Sequence, residues 1–328
     1  MNNIDHPSHY QSASGYKCMT DNEFLLQDRL QKIRQIITKY GEDNFSISYS
    51  GGKDSNVLSA LLDMALPDNR IPRVYANTGI EYKLVVDFVK EQAAKDDRFV
   101  IIKPKTPIKP MLEKVGYPFK SKAHSHLFQT FYKSGRDCIT IKRYLKEDPT
   151  RTGWFNANCC PNILKYQFEE PLPFTISDKC CDELKKKPLK EWQKENNKPI
   201  AIIGIMTDEG GQRSRSAGCL AFKHDKNQTL KAFQPLIPVT KEWENWFVGE
   251  YNIALPKLYY PPYNFNRTGC KGCPFAIELQ QELDTLEQFF PNERKQCETI
   301  WKPVYAEYRR LGYRLRPIDE NQLSFFKE

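Results

Sequence analysis

The chain has 328 residues, of which 40% are hydrophobic and 27% charged, with ten cysteines and a net charge of +8. That is enough chain for one large or two modest domains, with a composition ordinary for a soluble globular protein. No apolar run approaches the ~20 residues of a membrane span, and Asp5, His6, His9, Asp21 and Glu23 stand where a leader peptide needs an apolar core, so the expectation is a cytoplasmic protein with no membrane partner.

Residues 1–22 are polar and weakly patterned, and His6 and His9 lack a partner at metal-ligand spacing. Residues 23–40 carry Leu25, Leu30, Ile33, Ile36 and Ile37 on one helical stripe that stops at Gly41. A β-prone run, 45–49, leads through a glycine loop into a helix over 54–65. A second strand over 72–76, a helix over 83–94 and a third strand within 98–104 complete a strand–helix alternation typical of parallel βαβ units. Residues 104–197 read as mixed helix and loop, and 198–210 as a strand with an apolar run from Ile200 to Met206. Residues 224–228 read as a surface turn. Beyond 251 lie a Pro- and Tyr-rich loop, a Cys-x-x-Cys hairpin and helices near 276–288 and 291–311. The expected organisation is an arm and helix (1–43), an α/β nucleotide-binding domain (44–250) and a cysteine-bearing helical region (251–328).

The glycine loop is Ser50-Gly-Gly-Lys-Asp-Ser55. It is not a Walker loop, because Lys53 follows the glycines directly. The physics is related. Gly51 and Gly52 can bring backbone N–H groups close to a ligand, the following helix adds a positive dipole end, Ser50 and Ser55 add hydroxyls and Lys53 a point charge. Such a cradle suits a pyrophosphate. Asp54 beside phosphates calls for an offsetting Mg²⁺ or a fixed hydrogen bond.

The cysteines form two adjacent pairs, Cys159-Cys160 and Cys180-Cys181, and the hairpin Cys270-Lys-Gly-Cys273. Neighbouring Cα atoms are ~3.8 Å apart, too close for a relaxed disulfide within a pair. In a reducing compartment clustered thiols point to metal or redox chemistry. The hairpin directs two thiolates to one place and needs two more ligands. Cys18, Cys138 and Cys297 read as small buried hydrophobes. Cys159 and Cys160 match no motif.

The loop resembles the PP-loop of the ATP pyrophosphatases and of the phosphoadenosine phosphosulfate (PAPS) reductase-like proteins. Asn77-Thr-Gly-Ile-Glu-Tyr82 resembles the family's second loop, and the segment 204–214 resembles the one carrying an acid and an arginine, here Glu209 and Arg213, with Arg215 beside them. The resemblance spans about residues 44–280. It implies an adenine nucleotide alpha-hydrolase-like fold, a parallel twisted sheet with helices on both faces. It places Ser50, Gly51, Gly52, Lys53 and Ser55 on phosphate, Asp54 on Mg²⁺, Asn77, Thr78, Gly79 and Glu81 beside the nucleoside, and Glu209, Arg213 and Arg215 at the phosphate or sulfur end. Lys53, Asp54 and Arg213 take the catalytic roles.

The spacing of the tandem pair to the hairpin resembles the iron–sulfur members, which makes Cys180, Cys181, Cys270 and Cys273 the implied ligands of a [4Fe–4S] cluster. Zinc is the rival metal, and Cys219 a substitute ligand or a sulfur-carrying thiol. Sulfonucleotide reductases tend to carry an altered loop and act through a cysteine near the C-terminus. This chain keeps the loop whole and has no cysteine after Cys297. The combination is closer to cluster-bearing Dnd-type sulfur-transfer and tRNA thiolation proteins. It implies ATP, an adenylated intermediate with pyrophosphate release, DNA or tRNA as acceptor, and a sulfur donor such as a cysteine desulfurase. Basic runs at 103–114, 119–126 and 183–194 are candidate phosphate contacts. Three alternatives stay open: reduction of APS or PAPS with a thiol supplied in trans, a non-sulfur adenylating ligase, and a non-catalytic nucleotide- and cluster-binding module.

Overall fold

The computed structural model describes residues 19–148, 159–207, 218–223 and 225–317. Its helices are α1 (Asp21–Tyr40), α2 (Lys53–Ala65), α3 (Lys83–Lys95), α4 (Ile108–Val115), α5 (Lys122–Ser134), α6 (Ile139–Leu145), α7 (Lys187–Glu195), α8 (Lys241–Glu250), α9 (Leu279–Phe289), α10 (Pro291–Ile300) and α11 (Lys302–Leu311). The strands are β1 (Phe45–Tyr49), β2 (Arg73–Ala76), β3 (Phe99–Ile102), β4 (Ile200–Ile202), β5 (Leu220–Phe222) and β6 (Leu230–Phe233). The fold is α/β, with a six-stranded, mostly parallel sheet in the order β3-β2-β1-β4-β6-β5. No described helix is long and apolar enough to cross a membrane. The chain divides into two compact units, one of residues 1–49, 53–73 and 196–255, the other of 50–52, 74–195 and 256–328.

In the first unit, α1 starts on a reciprocal cap. Thr20 Oγ1 accepts from the Glu23 N–H at 3.3 Å, and the Glu23 carboxylate accepts from the Thr20 N–H at 2.7 Å. Leu26, Leu30, Ile33, Ile36 and Ile37 are buried on one stripe, each worth roughly 1.5–3 kcal/mol. β1 runs parallel to β4, with Phe45 beside Ile200 and Ile47 beside Ile202, and β4 runs parallel to β6. Four of its five residues are buried, as expected for a strand covered on both faces. β5 pairs antiparallel with β6, a hairpin around the turn expected from the sequence. Among the described residues of the expected strand at 198–210, only Ile200–Ile202 are in strand. Arg73 is fully buried, held by Asp63 at 2.6 Å, Asn69 at 2.8 Å and Ser59 at 3.1 Å.

The second unit has an aromatic core. Phe128 stacks on Phe168 at 4.5 Å, and Phe119 meets Tyr308 edge-on at 4.6 Å. Leu279, Leu283 and Leu286 of α9 and Trp301, Tyr305 and Tyr308 are buried with them. The expected single helix over 291–311 is two, α10 and α11. The break falls at Trp301 because Pro303 has no N–H to continue the ladder and fits only in a first turn.

Candidate thiol-rich functional site

The glycine loop forms as a strand-to-helix turn. β1 ends at Tyr49 and α2 starts at Lys53. Gly51 has φ +73, and a Cβ there would lie 2.8 Å from methyls of Val85 and Val89 on α3, so only glycine fits. A Cβ on Gly52 would lie 3.0 Å from Thr268 Oγ1 and 3.3 Å from Tyr259 Oη. Those two hydroxyls bond each other at 2.8 Å. The loop backbone therefore passes close against the segment leading into the Cys-x-x-Cys hairpin. Ser50 Oγ accepts from the Gly52 N–H at 3.3 Å. Within the first unit, Lys53 Nζ donates to Asn245 Oδ1 of α8 at 2.9 Å, with Glu244 at 4.0 Å. Gly204, at the end of β4, abuts Asp54: a Cβ there would lie 3.2 Å from the Asp54 carbonyl oxygen. Ser55 is buried.

The second loop, 77–82, folds on its own acid. Thr78 donates its N–H to Glu81 at 3.0 Å and its hydroxyl at 2.8 Å. Gly79 has φ +83, and its N–H donates to Asn77 Oδ1 at 3.2 Å. Glu81 is buried and pairs with Lys185 Nζ at 3.2 Å. This partner was not found from the sequence, where Lys185 was one lysine in a basic run.

The hairpin is sewn to that loop by backbone. Glu81 and Cys270 form an antiparallel bridge, and the Lys271 N–H donates to the Ile80 carbonyl at 2.8 Å. Its turn is rigid. Gly272 has φ +60, and a Cβ would lie 2.8 Å from Cys297 Sγ. Tyr305 bonds the Gly272 carbonyl, Trp301 the Lys271 carbonyl at 3.2 Å and Tyr308 the Pro274 carbonyl at 2.9 Å. Glu282 accepts from the Gly272 N–H at 2.8 Å and from Tyr82, and Lys271 pairs with Glu293 at 2.7 Å. The three aromatic donors all come from α11 and the break before it.

Cys180 and Cys181 open a helical segment in which Asp182–Lys186 forms a single π turn before α7. Such turns are rare and often mark functional sites. The four thiols sense one another. Cys180 hydrogen-bonds Cys181, which lowers the Cys181 thiol below its ordinary value, with help from Lys122, Lys185 and Lys186, and raises Cys180 well above the thiol range. Desolvation by surrounding protein raises Cys270 to about 11 against the pull of Lys185, which hydrogen-bonds it. Desolvation and the neighbouring Cys270 push Cys273 up. Lys185 is desolvated too, but Cys270 and Glu81 outweigh that and keep it charged.

Among the described residues, no three His, Cys, Asp or Glu side chains are grouped so that one metal ion meets them all. By donor chemistry, these four thiols within one unit, one already biased to thiolate, suit a sulfur-ligated metal centre. Cys219 belongs to the first unit, where Arg29 donates to its sulfur at 3.4 Å. Cys297 is fully buried against the hairpin, as its sequence context suggested. Cys138 is not buried: at the N-terminus of α6 it is half-exposed, and backbone N–H groups, first that of Thr140, lower its pKa. Glu209, Arg213 and Arg215, along with Cys18, His6 and His9, lie outside the described residues.

No protein-family model matches the chain. The uncharacterized protein MJ0973 of Methanocaldococcus jannaschii is 36% identical over 301 residues, 84% of this chain and 58% of that protein. The chain thus spans little more than half the length of this curated relative. Solved structures with partly similar chain traces include the following. PAPS reductase from Candida auris, in a phosphate complex, is 11% identical, with a TM-score of 0.38 over 74% of this chain and 93% of that one. FMN adenylyltransferase of Candida glabrata, with FAD and pyrophosphate, is 13% identical with a TM-score of 0.42 over 73% and 59%. The U34-tRNA thiolase NcsA of Methanococcus maripaludis, with its [4Fe–4S] cluster, is 16% identical with a TM-score of 0.37 over 88% and 80%. All of these scores lie below 0.5.

Proposed function

We propose that the chain is a PAPS reductase-like PP-loop enzyme that binds ATP, adenylates an acceptor oxygen with release of pyrophosphate, and then replaces that oxygen with sulfide-level sulfur as the C–O bond breaks and AMP leaves. The observation that carries this reading is the stitching of three motifs within one unit. Gly52 lies against Thr268, the hairpin bridges to Glu81, and Lys185 from the tandem-cysteine helix pairs with Glu81. A simple structural turn gives no reason for a nucleotide-type loop and four thiols to share these contacts.

In the proposed reaction the amides of the loop and the start of α2 hold the β- and γ-phosphates. Lys53 leaves Asn245 to meet developing phosphate charge, and Asp54 holds Mg²⁺. Asn77, Thr78 and Gly79 border the nucleoside, while Glu81 fixes the loop's conformation. Glu209, Arg213 and Arg215 complete the anion site, with Arg213 at the reacting phosphate. Cys180, Cys181, Cys270 and Cys273 would hold a [4Fe–4S] cluster, or zinc as the rival. Bound there, the cluster would supply soft-metal sulfur chemistry next to the nucleotide. A tRNA or DNA acceptor and a protein sulfur donor such as a cysteine desulfurase complete the reading, and cytoplasmic work fits free thiols.

The test is anaerobic purification with iron, sulfide and zinc assays, followed by pyrophosphate release from ATP with polynucleotide acceptors. Iron and sulfide near four per chain, with pyrophosphate release lost in Lys53→Ala, is the expected result. Sulfite release from APS or PAPS with added thiol, and no pyrophosphate from ATP, would overturn it in favour of reduction. Activity unchanged after replacement of all four cysteines would overturn the sulfur chemistry.

A further inference from the structure

The second unit carries a basic helical hairpin that the proposed chemistry does not use. Between residues 120 and 146 the chain holds seven Lys or Arg and a single acid, Asp137. Some of that charge is spent locally. Arg136 pairs with Glu147 and Glu169, Lys142 with Asp137 and Arg143 with Asp148, each at 2.9 Å. Lys122 and Lys133, at the two ends of α5, are exposed and form no ion pair among the described residues. α5 itself has no acid and is about 20 Å long.

Beside it is a groove of about 310 Å³, lined in part by Phe128, Phe131, Tyr132 and Phe174, with Gln167, Glu170 and Thr175 among its polar members. That is the low end of the ~300–1,000 Å³ of small-molecule sites. Tyr132 is 51% exposed. Its ring is held in place: its hydroxyl accepts from the Ile176 N–H at 2.9 Å, and Phe128 lies 5.5 Å away. An exposed, fixed aromatic next to an unpaired lysine is the pairing that single-strand binders use, stacking for the base and charge for the backbone. The helix also leads to the thiols. His126 meets Asp178 at 3.3 Å, Gln129 bonds the same carboxylate, and Asp178 is two residues from Cys180.

We propose that α5 and this groove dock a single-stranded polynucleotide, one unpaired base stacking on Tyr132 and the adjoining phosphates lying along Lys133 and Lys122. Glu170 offers an acceptor for a base amino group. The site takes the acceptor strand towards the tandem cysteines, and in that sense it rests on the function proposed above.

Fluorescence anisotropy with labelled 20-nucleotide RNA and DNA single strands tests it on the full chain. The wild type should bind, and Tyr132→Ala should weaken binding roughly 5- to 100-fold. Tyr132→Phe, which keeps the ring, should stay within about threefold of wild type. Lys133→Glu should weaken binding and make the slope of log affinity against log salt shallower by about one. RNA against DNA identifies the source of the strand. Circular dichroism and ATP binding are followed in parallel. No binding of either strand at low salt, or full binding by folded Tyr132→Ala, overturns this inference and leaves ATP chemistry standing. Strand binding without ATP binding overturns the proposed function and leaves the docking site standing.

Discussion

The second unit contains two tandem cysteine pairs, each with one buried member, Cys160 and Cys180, and they differ in local backbone and in the groups around them. Cys180-Cys181 sits at the start of a π turn among Lys122, Lys185 and Lys186, which, with the hydrogen bond from Cys180, lower the Cys181 thiol. In Cys159-Cys160, Cys160 is buried and its N–H donates to the Tyr144 carbonyl at 2.9 Å. Desolvation raises it to about 11, against the opposing pull of Lys120. Around it lies a buried polar chain: Tyr144 meets His124 at 2.7 Å, and His124 meets Gln167 at 3.0 Å. Adjacent thiols are therefore not a chemistry in themselves. Nearby Lys122, Lys185 and Lys186 favour a thiolate at Cys181, whereas at Cys160 desolvation outweighs the pull of Lys120.

This contrast can be broken most directly by alkylation. In metal-free protein at pH 7.5, Cys181 should react with iodoacetamide roughly 10-fold faster than Cys160, its larger thiolate fraction being partly offset by the lower nucleophilicity of a low-pKa thiolate, measured by peptide mass spectrometry after timed quenching. Comparable rates would erase the distinction. Metal content sharpens it. Cys181→Ser should weaken metal retention more than ~100-fold in chelator competition, beyond what an outer-sphere change costs, while Cys160→Ser should leave it unchanged.

Stability gives two smaller effects. Gly272→Ala forces a methyl against Cys297 Sγ at positive φ, and should cost about 2–4 kcal/mol in urea unfolding. His124 is fully buried, and desolvation, then Lys120, lowers it to about 3. Its folded pKa lies below the unfolded value near 6.5, so its contribution is complete above pH ~6.5 and is lost as pH falls towards 3. Between pH 7 and pH 5 this amounts to roughly 2 kcal/mol. A His124→Gln variant should show a flatter profile over that interval.

Local signals were readable from the sequence because they are local. The strand–glycine loop–helix, the stripe of α1 and the Cys-x-x-Cys turn each depend on residues within a few positions. What escaped depends on distance or brevity. Lys185 finds Glu81 across more than a hundred residues. β5 and β6 have three and four residues, too few to show a period. The α10–α11 break hinged on Pro303, whose place in a first turn reads like the interior of one helix until Trp301 is seen to end it. Cys138 was misread because a residue's place at a helix start is invisible to composition.

The wide turn at Asp182–Lys186 carries one residue more than a regular helix would need. Excising any single residue there would let the coil tighten into ordinary geometry and gain local regularity. It would also rotate the segment by about 100°, carrying the Lys185 ammonium off the Glu81 carboxylate. The insertion thus acts as a phase setting, and a shorter helix that folds better would be the one that no longer joins the second loop to the paired sulfurs.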